Sequence, residues 1–142
     1  MQIFTENNII LNRDFSDKEE AITEAGKILV EQGYVYPEYV DSMQKREQVI
    51  STYVGNKIAI PHGVNGSENQ IIESGISLIQ VPHGVSFGKG KTAYIVVGIA
   101  GKNNTHMDIL TKLSEVVCDI DNVNKLINAK NKQEILNIIG IN

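Results

Sequence analysis

Ile58-Ala59-Ile60-Pro61-His62-Gly63 is the stretch on which the fold turns. Its three apolar residues read as a short buried strand, and Pro61, which has no N–H to donate, ends the pairing. His62 then stands at the lip of a sheet. Gly63 adds no side chain, so a partner can come close to the imidazole. A histidine in that place either acts as a nucleophile that carries a transferred group or sits satisfied in a turn, and these six residues leave both readings open.

Working outward, the strand belongs to an alternation of strands and helices. Ala93-Tyr94-Ile95-Val96-Val97-Gly98-Ile99-Ala100 is the most apolar run and reads as a central strand. Ile76–Val81 reads as another strand, stopped by Pro82, and His83–Thr92, with three glycines, reads as a loop. A short strand is expected around Ile9–Leu11. Between the strands, a capping box of Ser16 and Glu19 opens a helix with Ala21, Ile22, Ala25, Ile28 and Leu29 on one face, ending at Gly33. Pro37 opens a second helix that runs to about Arg46 or Val49, and Ser51–Gly55 is a link. Gly101–Asn104 is a turn into a long helix, capped either by Thr105 with Asp108 or by Asn104. Ile109, Leu110, Leu113, Val116 and Val117 form its buried stripe. Two short helices, about Asp121–Ala129 and Lys132–Ile139, close the chain. The expected class is α/β: a single-domain sandwich over residues 1–142, with a central mixed β-sheet of about five strands flanked by helices on both faces.

Composition narrows the function. The 142 residues suffice for one domain with a proper core. Hydrophobic content of 42% against 21% charged residues is that of a globular protein, and no apolar run reaches the length of a membrane span. The start, MQIFTENNII, lacks the basic and apolar regions of a signal peptide, so the expected location is cytoplasmic, without direct membrane insertion. A single cysteine excludes an internal disulfide framework and a cysteine-rich zinc site. With a net charge of −4 and scattered basic residues, the chain lacks the concentrated basic face that nucleic acid demands.

His106 falls in the first turn of the long helix, just past a strand end. Unpaired N–H groups and the positive end of the helix dipole attract an anion there and disfavour a charged imidazole. By itself His106 reads as a polar surface residue. It gains weight beside His62, because ligands in α/β sheets favour strand ends and both histidines follow one. Arg46 would complete the chemistry, since a guanidinium meets two phosphoryl oxygens with parallel donors. On a helix with Lys45 and Glu47 beside it, a solvated charge is the default reading of Arg46 taken alone.

Three segments, REQVISTYVGNKIAIPHG, LIQVPHGVSFG and VVGIAGKNNTHMDILTKLSEVV, together resemble the enzyme IIA domain of the mannitol/fructose class. That class belongs to the bacterial phosphoenolpyruvate-dependent sugar phosphotransferase system. The resemblance covers nearly the whole chain, and the G-I-A-x-x-N-N-x-H run is closer to the mannitol branch. It implies a phosphocarrier. His62 would take a phosphoryl group on Nε2 from the phosphohistidine of the carrier HPr, then pass it to a cysteine of enzyme IIB for the uptake and phosphorylation of mannitol. Arg46 and His106 match the residues that flank the phosphoryl group, while Gly63, Asn104 and Thr105 are expected to help bind it. Asn56 stands where some members carry an acidic residue, which leaves open whether a carboxylate orients His62. No cofactor or metal is implied, and because the sequence stops just past its last helix, the membrane and IIB portions are expected on separate chains.

Two residues imitate the site. His83 also follows a proline at the end of an apolar run, but the resemblance gives it no chemistry. Cys118 could suggest the cysteine on which the pathway ends, but it lies inside a helix without a phosphate-binding loop, and buried packing is the expectation. The alternative function is a regulatory enzyme IIA-like module of the fructose or nitrogen branch, which would act through phosphorylation-dependent protein binding. A hydrolase using His62 and His106 lacks a neighbouring serine, cysteine or metal motif.

Overall fold

The structure, a computed structural model, describes residues 1–141. Its sheet contains β1 (Ile9–Ile10), β2 (Tyr53–Gly55), β3 (Ile58–Ala59), β4 (Gly75–Gly88) and β5 (Lys91–Ala100) in the order β1-β4-β5-β3-β2. The sheet is mixed: β4 and β5 form a long antiparallel hairpin, whereas β1 runs parallel to β4 and β3 parallel to β5. The apolar run at 93–100 does occupy the middle, because a strand buried on both faces cannot afford polar residues on either one.

Side-chain alternation sorts the core into two halves. Ile58 and Ile60, Ile76 and Leu78, and Ile95, Val97 and Ile99 point to one face. There they meet α3 (Thr105–Val117), α4 (Ile120–Asn128) and α5 (Lys132–Ile139) through Ile109, Leu113, Val123, Leu126, Ile135 and Ile139. Ala59, Ile79, Val81 and Val96 point to the other face, onto α1 (Lys18–Glu31) and α2 (Glu38–Val49) through Ala21, Ile22, Ala25, Leu29, Tyr39 and Met43. Helices therefore flank both faces, as the strand–helix alternation implies.

Four local expectations need correction. Pro82 does not end its strand: β4 continues to Gly88, and β5 begins at Lys91, so most of the expected loop is hairpin. The proline is accommodated because the register between β4 and β5 slips between Gln80 and Val85, where no ladder N–H is required. The α1 cap is Asp17, whose carboxylate accepts from the Glu20 N–H at 2.9 Å, while Glu20 reaches back to the Ser16 N–H and hydroxyl. The cap thus falls one residue later than Ser16 and Glu19 suggest, and Glu20 closes it on Ser16, the residue before the cap, in a variant of the capping box. Part of the link at 51–55 is the edge strand β2, antiparallel to β3. Finally, Cys118 is exposed at the end of α3, its thiol against the Glu115 carbonyl at 3.4 Å, and does not pack in the core.

Candidate functional site

Both histidines arrive at one edge of the sheet because their strands are parallel neighbours. Ile58 pairs with Ile95 and Ala59 with Val96, and the pairing carries on past the proline: the Ile99 N–H donates to the Pro61 carbonyl at 2.9 Å, and His62 bridges Ile99. Pro61 loses its own donor but keeps its acceptor, so it can lie at the strand's end without breaking this last contact. From Ala100 the chain passes Gly101 and a turn, with Asn103 in the left-handed region at φ 55°, and enters α3. His106 sits in the first turn of that helix. The two imidazole centroids are 5.1 Å apart, with their planes tilted by 58°. Strand ends placed side by side in this way are where open α/β sheets bind ligands.

The His62 ring has a defined tautomer. Its Nδ1 lies 2.9 Å from the carbonyl of Ile60, which can only accept, so Nδ1 carries the proton and Nε2 the lone pair. Burial pushes the His62 pKa below the ordinary value of 6.5, the Ile60 hydrogen bond opposes that, and the charge of Arg46 lowers it further. Burial also lowers His106, helped by His62. A neutral, half-buried imidazole with a free Nε2 is the nucleophilic form.

Around the rings is a cleft of ≈ 620 Å³, with Tyr39, Gly63, Lys102, Asn104 and Met107 among its walls. Gly63 shapes it sterically. A Cβ there would stand 2.5 Å from the Ser67 hydroxyl and 2.6 Å from the Tyr39 ring. Its N–H is already spent on the Tyr39 hydroxyl at 2.9 Å, and that hydroxyl donates in turn to the Ile99 carbonyl at 2.7 Å. Tyr39 thus bolts α2 to both strand ends, and burial pushes its phenol up to about 12, keeping the donor protonated. Gly101 permits an equally close approach, since a Cβ would lie 2.4 Å from the His106 Cα.

The remaining candidates divide. Arg46 lies in the last turn of α2, outside the cleft walls, where it donates to the Ile50 carbonyl at 2.6 Å, and its positive charge contributes to lowering the His62 pKa. Asn104 caps α3 by position without a side-chain hydrogen bond. Thr105 also does not cap: its hydroxyl donates to the Lys102 carbonyl at 2.8 Å and meets the Ser74 hydroxyl at 2.5 Å, tying down the turn before α3. Asn56 lies outside the cleft walls, in the β2–β3 turn at φ 49°, and donates to the Val117 carbonyl at 3.0 Å, so it fastens α3 and does not orient His62. His83 is exposed and paired with Asp14 at 2.9 Å, apart from the cleft.

Two contributors escaped sequence reasoning. Tyr39 looks like any aromatic on an amphipathic face, and only its hydroxyl partners reveal its role. Glu47 is a charge beside Arg46 whose burial depends on tertiary packing. The one available signal was its place in REQVISTY, directly after the arginine.

A neutral histidine with a fixed tautomer, a second imidazole and a nearby guanidinium suit reversible phosphoryl carriage. The chain belongs to the family of phosphoenolpyruvate-dependent sugar phosphotransferase system EIIA 2 proteins, whose model it matches over residues 2–140. It is thus a phosphotransferase component. More particularly, it is 46% identical over 140 residues to the mannitol-specific phosphotransferase enzyme IIA component of Bacillus subtilis (strain 168), covering 99% of this chain and 98% of that one. It is 47% identical to the enzyme of the same name from Geobacillus stearothermophilus, covering 99% and 97%. Among solved structures, it superposes on the complex of enzyme IIAMTL and phosphorylated enzyme IIBMTL from Escherichia coli with a TM-score of 0.92, at 37% identity and 96% coverage of each chain.

Proposed function

We propose that this chain is the mannitol-specific enzyme IIA phosphocarrier, a single functional unit that relays a phosphoryl group through His62 from phospho-HPr to the cysteine of a mannitol enzyme IIB. The observation that carries the reading is the hydrogen bond from His62 Nδ1 to the Ile60 carbonyl, which leaves the Nε2 lone pair as the nucleophile. The names of the curated relatives support mannitol as the sugar, and the E. coli complex supports a IIB partner. Among the described residues, no helix is long and apolar enough to cross a membrane.

Each residue then has a task. His62 Nε2 attacks phosphorus as the donor's P–N bond breaks, and its Nδ1 keeps the proton on Ile60. His106, neutral, donates one hydrogen bond to a phosphoryl oxygen, and Arg46 supplies positive charge. Gly63, Asn104 and Thr105 shape the entrance and brace the turn before α3. Transfer between nitrogens, and then to sulfur, needs alignment and charge neutralisation rather than hydrolytic machinery. Exposed apolar side chains, Met107 beside His106 and Val49 and Ile50 just after Arg46, supply surface for short-lived docking.

Incubation with labelled phosphoenolpyruvate, enzyme I and HPr tests the reading. Label is expected on the wild-type chain and absent from His62→Ala, whereas His106→Ala and Arg46→Ala fold but transfer slowly to IIB. Normal transfer by either of the last two would remove its assigned role. Reconstitution with matched IIB and IIC chains, mannitol against fructose, tests the sugar.

A further inference from the structure

The end of α2 holds a charge that the relay, as described, leaves unused. Glu47 is only 6% exposed. One carboxylate oxygen accepts from the Thr52 N–H at 2.8 Å and the Thr52 hydroxyl at 2.7 Å, and the other accepts from Lys18 at 3.2 Å. Burial pushes its pKa up, yet hydrogen bonds from Thr52 and Ser51, together with Lys18, outweigh that and keep it ionised. A buried charge is expensive, and a glutamine could accept the same bonds from Thr52. Fastening the turn therefore does not account for the charge, which the Lys18 ion pair meets on one oxygen only.

Following the hydrogen bonds onward leads to the nucleophile. The Thr52 carbonyl accepts from the Ile60 N–H at 2.9 Å, and the Ile60 carbonyl accepts from His62 Nδ1 at 2.9 Å. Glu47 thus holds the backbone rung that holds the ring. The charged and titratable groups around His62 are Tyr39, Arg46 and Glu47 from α2 and His106 from α3, with Glu68 and Lys102 on the cleft wall. Around Glu47 stand Lys18 from α1 and its own neighbour Arg46.

We propose that Glu47 is a positioning residue for phosphoryl transfer: through Thr52 and Ile60 it fixes the tautomer of His62, and its charge stabilises the cation that the ring becomes. In the step itself, the Nε2 lone pair forms the new P–N bond. The electron pair of the broken P–N bond returns to the donor's imidazole, and Nδ1 keeps its proton. The His62 ring, neutral before attack, is a phosphorylated imidazolium afterwards. Arg46 steadies the phosphoryl oxygens but repels that cation, and the adjacent carboxylate offsets the repulsion. Such help is greater for the product than for the reactant, so it acts on the transfer itself. This inference rests on His62 being the acceptor.

Glu47→Gln and Lys18→Met in the full chain test it, with two readouts: the protonation midpoint of His62 by NMR titration, and the rate and extent of phosphorylation by phospho-HPr. Glu47→Gln keeps an acceptor for Thr52 but removes the charge. It is expected to lower the midpoint and slow phosphorylation by about threefold, the worth of one charge several Å away through a water-like dielectric. Lys18→Met removes the opposite charge from the same carboxylate and is expected to raise the midpoint. A merely structural Glu47 would not move the two variants in opposite directions. Unchanged midpoints, or shifts of the same sign, overturn the proposal when wild-type His62 is phosphorylated normally. Should Glu47→Gln not fold, Lys18→Met decides, a raised midpoint supporting the role and an unmoved one ending it. A wild-type chain that takes no phosphate on His62 overturns the functional reading and this proposal together.

Discussion

Removing one oxygen atom, in Tyr39→Phe, tests the bolt between α2 and the two strand ends. The phenol accepts from the Gly63 N–H at 2.9 Å and donates to the Ile99 carbonyl at 2.7 Å, the second bond being fully buried. Phenylalanine fills almost the same space, so no cavity contributes, and the cost is that of two groups losing a partner. An unsatisfied buried carbonyl costs about 1–3 kcal/mol, and the Gly63 N–H, which cleft water can reach, costs about 0.5–1.5 kcal/mol. The expected loss is about 1.5–4.5 kcal/mol. For a chain of this length a kcal/mol moves the midpoint by about 3 °C, so Tm should fall by about 5–13 °C. Urea unfolding followed by circular dichroism, compared with calorimetry, measures both quantities. The loop that carries His62 is expected to loosen as well, so phosphorylation should slow even at temperatures where the variant is folded. A loss below about 0.5 kcal/mol with normal phosphorylation would mean that water replaces the phenol without penalty and that Tyr39 does not fasten the site.

Two further outcomes follow from the same geometry. Burial lowers the pKa of both His62 and His106, so around and below the ordinary 6.5 the unfolded chain binds more protons than the folded one. Stability then rises with pH through that window and is lost as pH falls below 6.5. Denaturant midpoints between pH 5 and 7.5 should show this slope, reduced in the double variant His62→Gln/His106→Gln, and an equal slope in the double variant would assign it to other groups. Gly101→Ala places a methyl group 2.4 Å from the His106 Cα, where backbone must shift. We expect about 1–3 kcal/mol of destabilisation by overpacking, with a larger loss in transfer than in stability because His106 is displaced; unaltered transfer kinetics would show that the position of α3 is not critical.

Pro82 and Cys118 show where sequence reasoning departs from the structure, and Asn56 a question that it leaves open. Pro82 was read as a strand end because proline cannot serve a ladder, but the slipped register beside it removes the demand for its N–H. Cys118 was placed in the core because its neighbours are apolar, yet it lies where α3 ends and turns outward. Whether a carboxylate orients His62 is open in the sequence at Asn56; in the structure Asn56 reaches α3 at the Val117 carbonyl. For Pro82 and Asn56 the deciding partner lies on another element, so local pattern carries no trace of it, whereas the exposure of Cys118 follows from its place at the end of α3.

What the amino-acid order determined unaided was therefore the set of elements and their buried faces. Helical spacing in α1 and α3 and the apolar runs of β4 and β5 are local properties, written by side-chain size and polarity at periods of 3.6 and 2. The motif around His62 was equally legible, because a strand, a proline and a glycine act on their immediate neighbours. Tertiary structure alone decided that His62 and His106 meet at 5.1 Å, that Tyr39 spans Gly63 and Ile99, and that Glu47 is buried behind the nucleophile. Those relations depend on β3 pairing in parallel with β5 and on α2 docking beside them, contacts whose geometry is set by the packing of the whole sheet and not by any one segment.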